Sequence, residues 1–285
     1  MKRALVFGGS GMLGRAVTEL WRRRGVAVLA LDRRRADIAD AAQVQAWAHE
    51  FRPEVIINCA AFTRVDDCET EEALATSING DAVAHLVEAA GSVGADLVHI
   101  SSDYVFDGRA DAPIPEHAPT GPRSAYGRGK LVGETHALGY DRALVVRASW
   151  LFGPGGPNFV ATIRRLLLEG RAPLKVVDDQ IGRPTYTPFV AQALWDLLQA
   201  GATGIVHYGN RDAVSWHGFA TEIARIVAPG AEVLPVPTSE FPRPAPRPAY
   251  SVLDVHKFET ATGNIVEPWI CGLTAYLETL EVPST

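Results

Sequence analysis

The sequence predicts an α/β fold built on a doubly wound parallel sheet, and three observations carry that expectation. Short apolar runs rich in Val, Ile and Leu alternate with longer segments whose apolar residues recur at three- and four-residue steps. The runs are apolar throughout rather than alternating, as strands covered on both faces must be. A glycine-rich turn, GGSGMLG, joins the first run to the first helical segment.

Element by element, strands are expected at Ala4–Phe7, Val26–Leu31, Val55–Asn58, Leu97–Ser101 and Leu144–Arg147. Helices are expected over Leu13–Arg24, Ala41–Phe51, Glu71–Ala90 and Tyr126–Leu138. After Trp150 the rhythm changes. The GPGGP of Gly153–Pro157 breaks the chain, then come a helix at Phe159–Leu168 and a strand at Val176–Asp179. Helices at Pro188–Gln199 and Phe219–Val227 flank a strand at Ile205–Tyr208. The segment Pro235–Pro248 holds six of the 19 prolines and is expected to lack regular structure, as either a solvated loop or one that covers a ligand. The expected organisation is a Rossmann-type domain over residues 1–155, to which the chain returns at about 185–210, and a smaller C-terminal α/β substrate domain over 156–285.

Composition removes several classes. With 47% hydrophobic and 21% charged residues the chain of 285 residues is a globular protein, not a disordered one. Twenty-seven basic against 33 acidic side chains leave a net charge of −6, which disfavours a nucleic-acid partner. Three cysteines, Cys59, Cys68 and Cys271, form neither a disulfide framework nor a zinc pattern, and no metal site is expected; His99, His207 and His217 have no ligand spacing. No run approaches a membrane span or a signal-peptide core, so no membrane association and a cytoplasmic location are expected.

The glycine turn sits where a dinucleotide phosphate would. Gly8 permits a tight turn, Gly11 lets backbone N–H groups approach a pyrophosphate, and Gly14 allows the helix to pack against the strand, with Met12 and Leu13 inside the same cofactor loop. The helix start then faces the anion. Asp32, at the end of the second strand, is placed to accept adenosine ribose hydroxyls, which favours NAD. Arg33, directly after it, could instead clamp the 2′-phosphate of NADP, or the arginine run could be a solvated turn. NADPH is the expected cofactor, with NADH as an alternative or dual use.

Tyr126 and Lys130 stand four residues apart at a helix start and share a face. With seven Tyr and four Lys in the chain, such a spacing arises about 0.1 times by chance. An ammonium beside a phenol favours its ionised form and eases proton exchange with a substrate oxygen. Lys130 could also hold the nicotinamide ribose. Ser102, at the carboxyl end of the fourth strand, can donate to a substrate carbonyl and polarise it, or cap the strand end.

Taken in order, GGSGMLG, NCAAFTRVDDCE, SSDYVFDG and YGRGK resemble the extended short-chain dehydrogenase/reductases. SSDYVFDG and the downstream VRASWLFGPGGPNF, VDDQIGRPTYT, VSWHGFA and RPAYSVLD are similar to the dTDP-4-dehydrorhamnose reductases, over nearly the whole chain. The resemblance implies Tyr126 as proton donor, Lys130 as its partner and Ser102 as the carbonyl-directed hydroxyl, a serine where threonine is commoner. It implies Ala61, Phe62 and Thr63 along the cofactor, Asp37 and Ile38 near adenine, and Asp103, Tyr104 and Trp150 on the sugar nucleotide, Trp150 through an apolar face. Asn79 would be a proton-relay or helix-packing residue, and Arg247 a basic group for a diphosphate. The implied reaction is NAD(P)H-dependent reduction of a dTDP-4-dehydro-6-deoxyhexose, with a nucleotide sugar as partner and a homodimer held open. A dehydratase lacks its acid–base pair here, because Tyr104 follows Asp103. A reductase of another dTDP-4-keto-6-deoxysugar keeps every motif. A non-catalytic subunit like the β-subunit of methionine adenosyltransferase is the alternative from another class.

Overall fold

The computed structural model describes residues 1–281. Its first unit is a run of strand–helix repeats: β1 Arg3–Phe7, α1 Met12–Arg23, β2 Ala27–Leu31, α2 Ala41–Phe51 and β3 Val55–Asn58. There follow α3 Val65–Thr70, α4 Glu72–Thr76, a π-helical turn at Ser77–Asp81, α5 Ala82–Val93, β4 Asp96–Ser102, α6 Ala125–Leu138 and β5 Ala143–Ala148. The second half adds β6 Leu151–Phe152, α7 Phe159–Leu168, β7 Leu174–Val177, β8 Ile181–Gly182, β9 Thr185–Tyr186 and α8 Thr187–Gln199. It ends with β10 Gly204–Tyr208, β11 Val214–Ser215, α9 Trp216–Val227, β12 Val233–Val236, α10 His256–Thr262 and α11 Trp269–Glu281.

Six strands form one parallel sheet in the order β10-β5-β4-β3-β1-β2. Inner strands such as β3 are apolar along most of their length because consecutive side chains point to opposite faces that are both buried. Ala4 and Val6 of β1 pack toward α1 and α8 with Val17, Trp21 and Leu194, while Leu5 and Phe7 pack toward α2 and α5 with Val44, Leu86 and Ala89. The order of strands reverses between β1 and β3, and the carboxyl ends there open a crevice, the place where sheets of this kind take ligands. A third core, centred on Phe152, Phe219 and Tyr276, joins α7, α9 and α11.

Two expectations are corrected. The helix expected at Glu71–Ala90 is broken into α4, the π turn and α5, with α3 before them. The wider turn brings Gly80 onto α6, where a Cβ would approach Val132 to 2.8 Å, and turns Asn79 inward. The proline segment is not wholly irregular: Pro235 lies in β12, which pairs in parallel with β7. Proline is tolerated there because the strand stands at the edge of a two-stranded sheet, where one N–H row has no partner to serve. Among the described residues no helix is long and apolar enough to cross a membrane.

Candidate active site

A cleft of about 520 Å³ opens at the carboxyl ends of β1 and β3. It is lined by Gly8, Gly11, Met12 and Leu13 of the glycine turn, by Arg33, Asp37 and Ile38 after β2, and by Ala61, Phe62 and Thr63 after β3. Gly8 has φ +74°, and a Cβ on it would lie 2.5 Å from the Ala60 nitrogen. Gly14 is buried behind the turn, where a Cβ would come within 2.3 Å of the Gly8 carbonyl oxygen. No side chain caps α1 at Gly11, so its first-turn amides are left for an anion in the cleft. The volume, the glycine cradle and these amides fit a dinucleotide.

Asp32 follows directly after β2. Its carboxylate accepts from the backbone N–H groups of Arg34 and Arg35, at 3.0 and 3.1 Å, and lines a separate cavity of about 820 Å³ on the other side of α1. Arg33 pairs with Asp37 at 3.4 Å on the cofactor side. Asn79, missing from any spacing argument for the cofactor, clamps the cleft wall: Phe62 N–H donates to its Oδ1 at 2.7 Å and its Nδ2 donates to Phe62 carbonyl at 3.0 Å. A π turn at such a position is a common functional device.

A second cavity, of about 510 Å³, lies between β4's end and the C-terminal elements. Tyr104, Trp150 and Arg247 line it; Ser102 and Asp103 are buried beside it. The sequence reading missed Trp216, Phe159, Lys175 and Arg243, which also line it. Trp216 stacks on Trp150 with centroids 3.5 Å apart and planes at 5°. Trp150 therefore has one ring face covered by protein, and it holds φ +47°, a strained conformation for a bulky residue. The VSWHGFA segment contained Trp216, but nothing in one sequence links it to Trp150. Arg247 donates to Asp66 at 2.8 Å, so this cavity carries its own carboxylate against its cation.

The catalytic candidates sit between the two spaces. Tyr126 and Lys130 do not line the cofactor cleft, yet Tyr126 packs with Phe62 of its wall around Cys68, Ala75 and Ala125. On its other side Tyr126 meets the Tyr104 ring edge-on at 5.4 Å. Ser124 caps α6 by accepting from Gly127 N–H, which starts the helix just before Tyr126.

Electrostatics here differ from the simple Tyr–Lys picture. Burial pushes the Tyr126 phenol well above its ordinary range, Asp103 adds to the rise, and the Ser102 hydroxyl opposes it. Lys130 donates to the Ile100 carbonyl at 2.6 Å, and burial lowers its pKa to about 8. Asp103 is raised to about 6 by burial, although Ser102 donates to its Oδ1 at 2.9 Å; its Oδ2 has no partner. The result is a neutral phenol, a cationic amine and a largely ionised carboxylate near neutrality.

A family model, the RmlD substrate binding domain, matches residues 1–282. The chain belongs to that family. A dTDP-4-dehydrorhamnose reductase of Streptomyces griseus is 44% identical over 280 residues, covering 95% of this chain and 92% of the relative. A crystal structure of a dTDP-4-dehydrorhamnose reductase from Clostridium acetobutylicum superposes with a TM-score of 0.94 at 40% identity, over 98% of this chain and 100% of that one. That of the Bacillus anthracis dTDP-4-dehydrorhamnose reductase, in complex with NADP, gives 0.94 at 35% identity with the same coverage. As a member of this family the chain has the Rossmann-type α/β fold expected from its strand pattern.

Proposed function

We propose that this protein reduces the 4-keto group of dTDP-4-dehydro-L-rhamnose to give dTDP-L-rhamnose, using NADPH and accepting NADH. The observation that carries this reading is the position of Tyr126, which shares the small core of Cys68, Ala75 and Ala125 with Phe62 of the cofactor cleft and meets Tyr104 of the second cavity edge-on. A proton donor there serves a substrate carbonyl presented from one space to a hydride donor in the other.

A nicotinamide cofactor bound in the cleft supplies the hydride. The chain's own residues then have separable tasks. Gly8, Gly11, Met12, Leu13 and Gly14 shape the pyrophosphate cradle, and Arg33, released from Asp37, meets a 2′-phosphate. Asp32 fixes the turn that aims Arg33 through its Oδ1 and accepts adenosine ribose hydroxyls through its other oxygen. Ser102 donates to the keto oxygen, and Tyr126 delivers the proton as the alkoxide forms. Because burial holds the phenol protonated, Tyr126 is loaded as an acid before substrate arrives. Lys130, cationic below about pH 8, stabilises the tyrosinate left behind and holds the nicotinamide ribose. Asp103, Tyr104 and Trp150 contact the sugar, Trp150 by the part of its ring that Trp216 leaves free, and Arg247 exchanges Asp66 for the diphosphate. Residues 1–155 with 185–210 form the cofactor domain and 156–285 the main substrate domain; a homodimer and a cytoplasmic location belong to the same proposal.

The test is loss of NADPH and NADH absorbance with dTDP-4-dehydro-L-rhamnose, beside UDP- and GDP-linked keto sugars and other dTDP-4-keto-6-deoxysugars. Oxidation of NADPH by the first substrate in preference to the rest is expected. Turnover of none of them, or preference for another dTDP sugar, refutes the stated substrate.

A further inference from the structure

The helix that presents Tyr126 and Lys130 carries a third polar side chain on the same face, one turn further on, that the reaction above does not use. Glu134 is 1% exposed. Its carboxylate is gripped from two strands. From β5, Arg147 donates through Nε to Oε1 at 2.8 Å and through Nη2 to Oε2 at 2.7 Å; from β4, Ser101 donates to Oε1 at 2.5 Å. Arg147 is as deeply buried, and its Nη1 meets His207 Nε2 of β10 and the Glu116 carbonyl, each at 3.3 Å.

A buried ion pair is a poor device for stability alone, because desolvation of both charges offsets most of their attraction and apolar residues of similar volume do as well. Its location suggests another use. Ser101 stands in the chain between Ile100, whose carbonyl accepts from Lys130 Nζ, and Ser102. One carboxylate therefore joins the strand tip that carries the substrate-directed hydroxyl to the helix that carries the proton donor and its amine.

We propose that Glu134 is a positioning residue for the reduction: it fixes the spacing of Ser102 against Tyr126 and Lys130. The proposal rests on the functional reading above.

Three variants test this against wild type, with NADPH binding by fluorescence and thermal melting read in parallel. Wild-type protein that binds NADPH but reduces no keto sugar counts against the function and not against Glu134. Ser101→Ala cuts the tie to β4 and leaves the ion pair. Glu134→Gln removes the charge, and Glu134→Leu with Arg147→Met removes both charges without stranding either. The expected result is kcat lower by about tenfold or more in all three, with NADPH binding and the sugar-nucleotide KM changed by less than about threefold. Wild-type kcat in folded variants, or a loss that follows the melting temperature and NADPH binding, overturns the proposal. Where Glu134→Gln does not fold the double variant decides, and where neither folds Ser101→Ala decides on kcat against KM.

Discussion

Asp103→Asn is the perturbation whose outcome the geometry specifies most fully. Burial raises the Asp103 carboxyl from 3.8 to about 6, and its Oδ2 has no hydrogen-bond partner. Keeping the charged form buried at neutral pH therefore costs about 3 kcal/mol relative to the unfolded chain. The sign follows from the direction of the shift. A raised folded-state value means the contribution to stability is fully present below pH 3.8 and is lost as pH rises through about 6. Asparagine keeps an oxygen for Ser102 and strands an amide where a carboxylate oxygen is already stranded, so the second cost roughly cancels. At pH 7 the variant should be more stable by about 2–3 kcal/mol, or about 5 °C in Tm for a chain of this size. Thermal and urea melts of both proteins from pH 4 to pH 8 measure it. The advantage should shrink toward zero between about pH 6 and pH 4, while kcat/KM for the keto sugar falls at every pH. A stability difference independent of pH, or a variant less stable at pH 7, refutes the reasoning. The combination of gained stability and lost turnover would mark a charge kept for function at a structural cost.

Other outcomes follow from the same site. Tyr126→Phe should lower kcat by about 10²–10⁴-fold with NADPH binding intact, read by single-turnover kinetics. The kcat/KM profile of the wild type should fall above about pH 8, as the free enzyme's Lys130 loses its proton. Asn79→Ala strands the Phe62 N–H and leaves its carbonyl to the Cys68 thiol alone, and should weaken NADPH binding by about tenfold or more, measured by fluorescence titration. Arg33→Ala should raise the KM for NADPH while leaving that for NADH within about twofold, separating a phosphate contact from general loosening.

The sheet was legible because a strand buried on both faces leaves an unbroken apolar run, and Val55–Asn58 or Ala4–Phe7 allow no other reading in that rhythm. The glycine turn was legible for steric reasons, since only glycine fits at positions 8 and 14. The π turn was not, because one extra residue in a helix barely disturbs apolar periodicity over so short a stretch. Asp32 shows what spacing leaves out: it places a carboxylate just after β2, and the structure adds that its Oδ1 accepts from two turn amides. Trp216 and Arg243 join the second cavity through folding contacts between distant segments, and no local pattern records those. The Glu134–Arg147 pair is hidden for the same reason, as two charges in one sequence carry no sign of being buried together.

The β10 strand closes the far side of the parallel sheet by pairing with β5, although more than fifty residues separate them along the chain. During synthesis the flank of β5 thus waits, with its amides and carbonyls unclaimed, until residues 204–208 leave the ribosome. A fragment stopped after the GPGGP turn would expose that raw border, and should self-associate rather than persist as an independent nucleotide-binding piece.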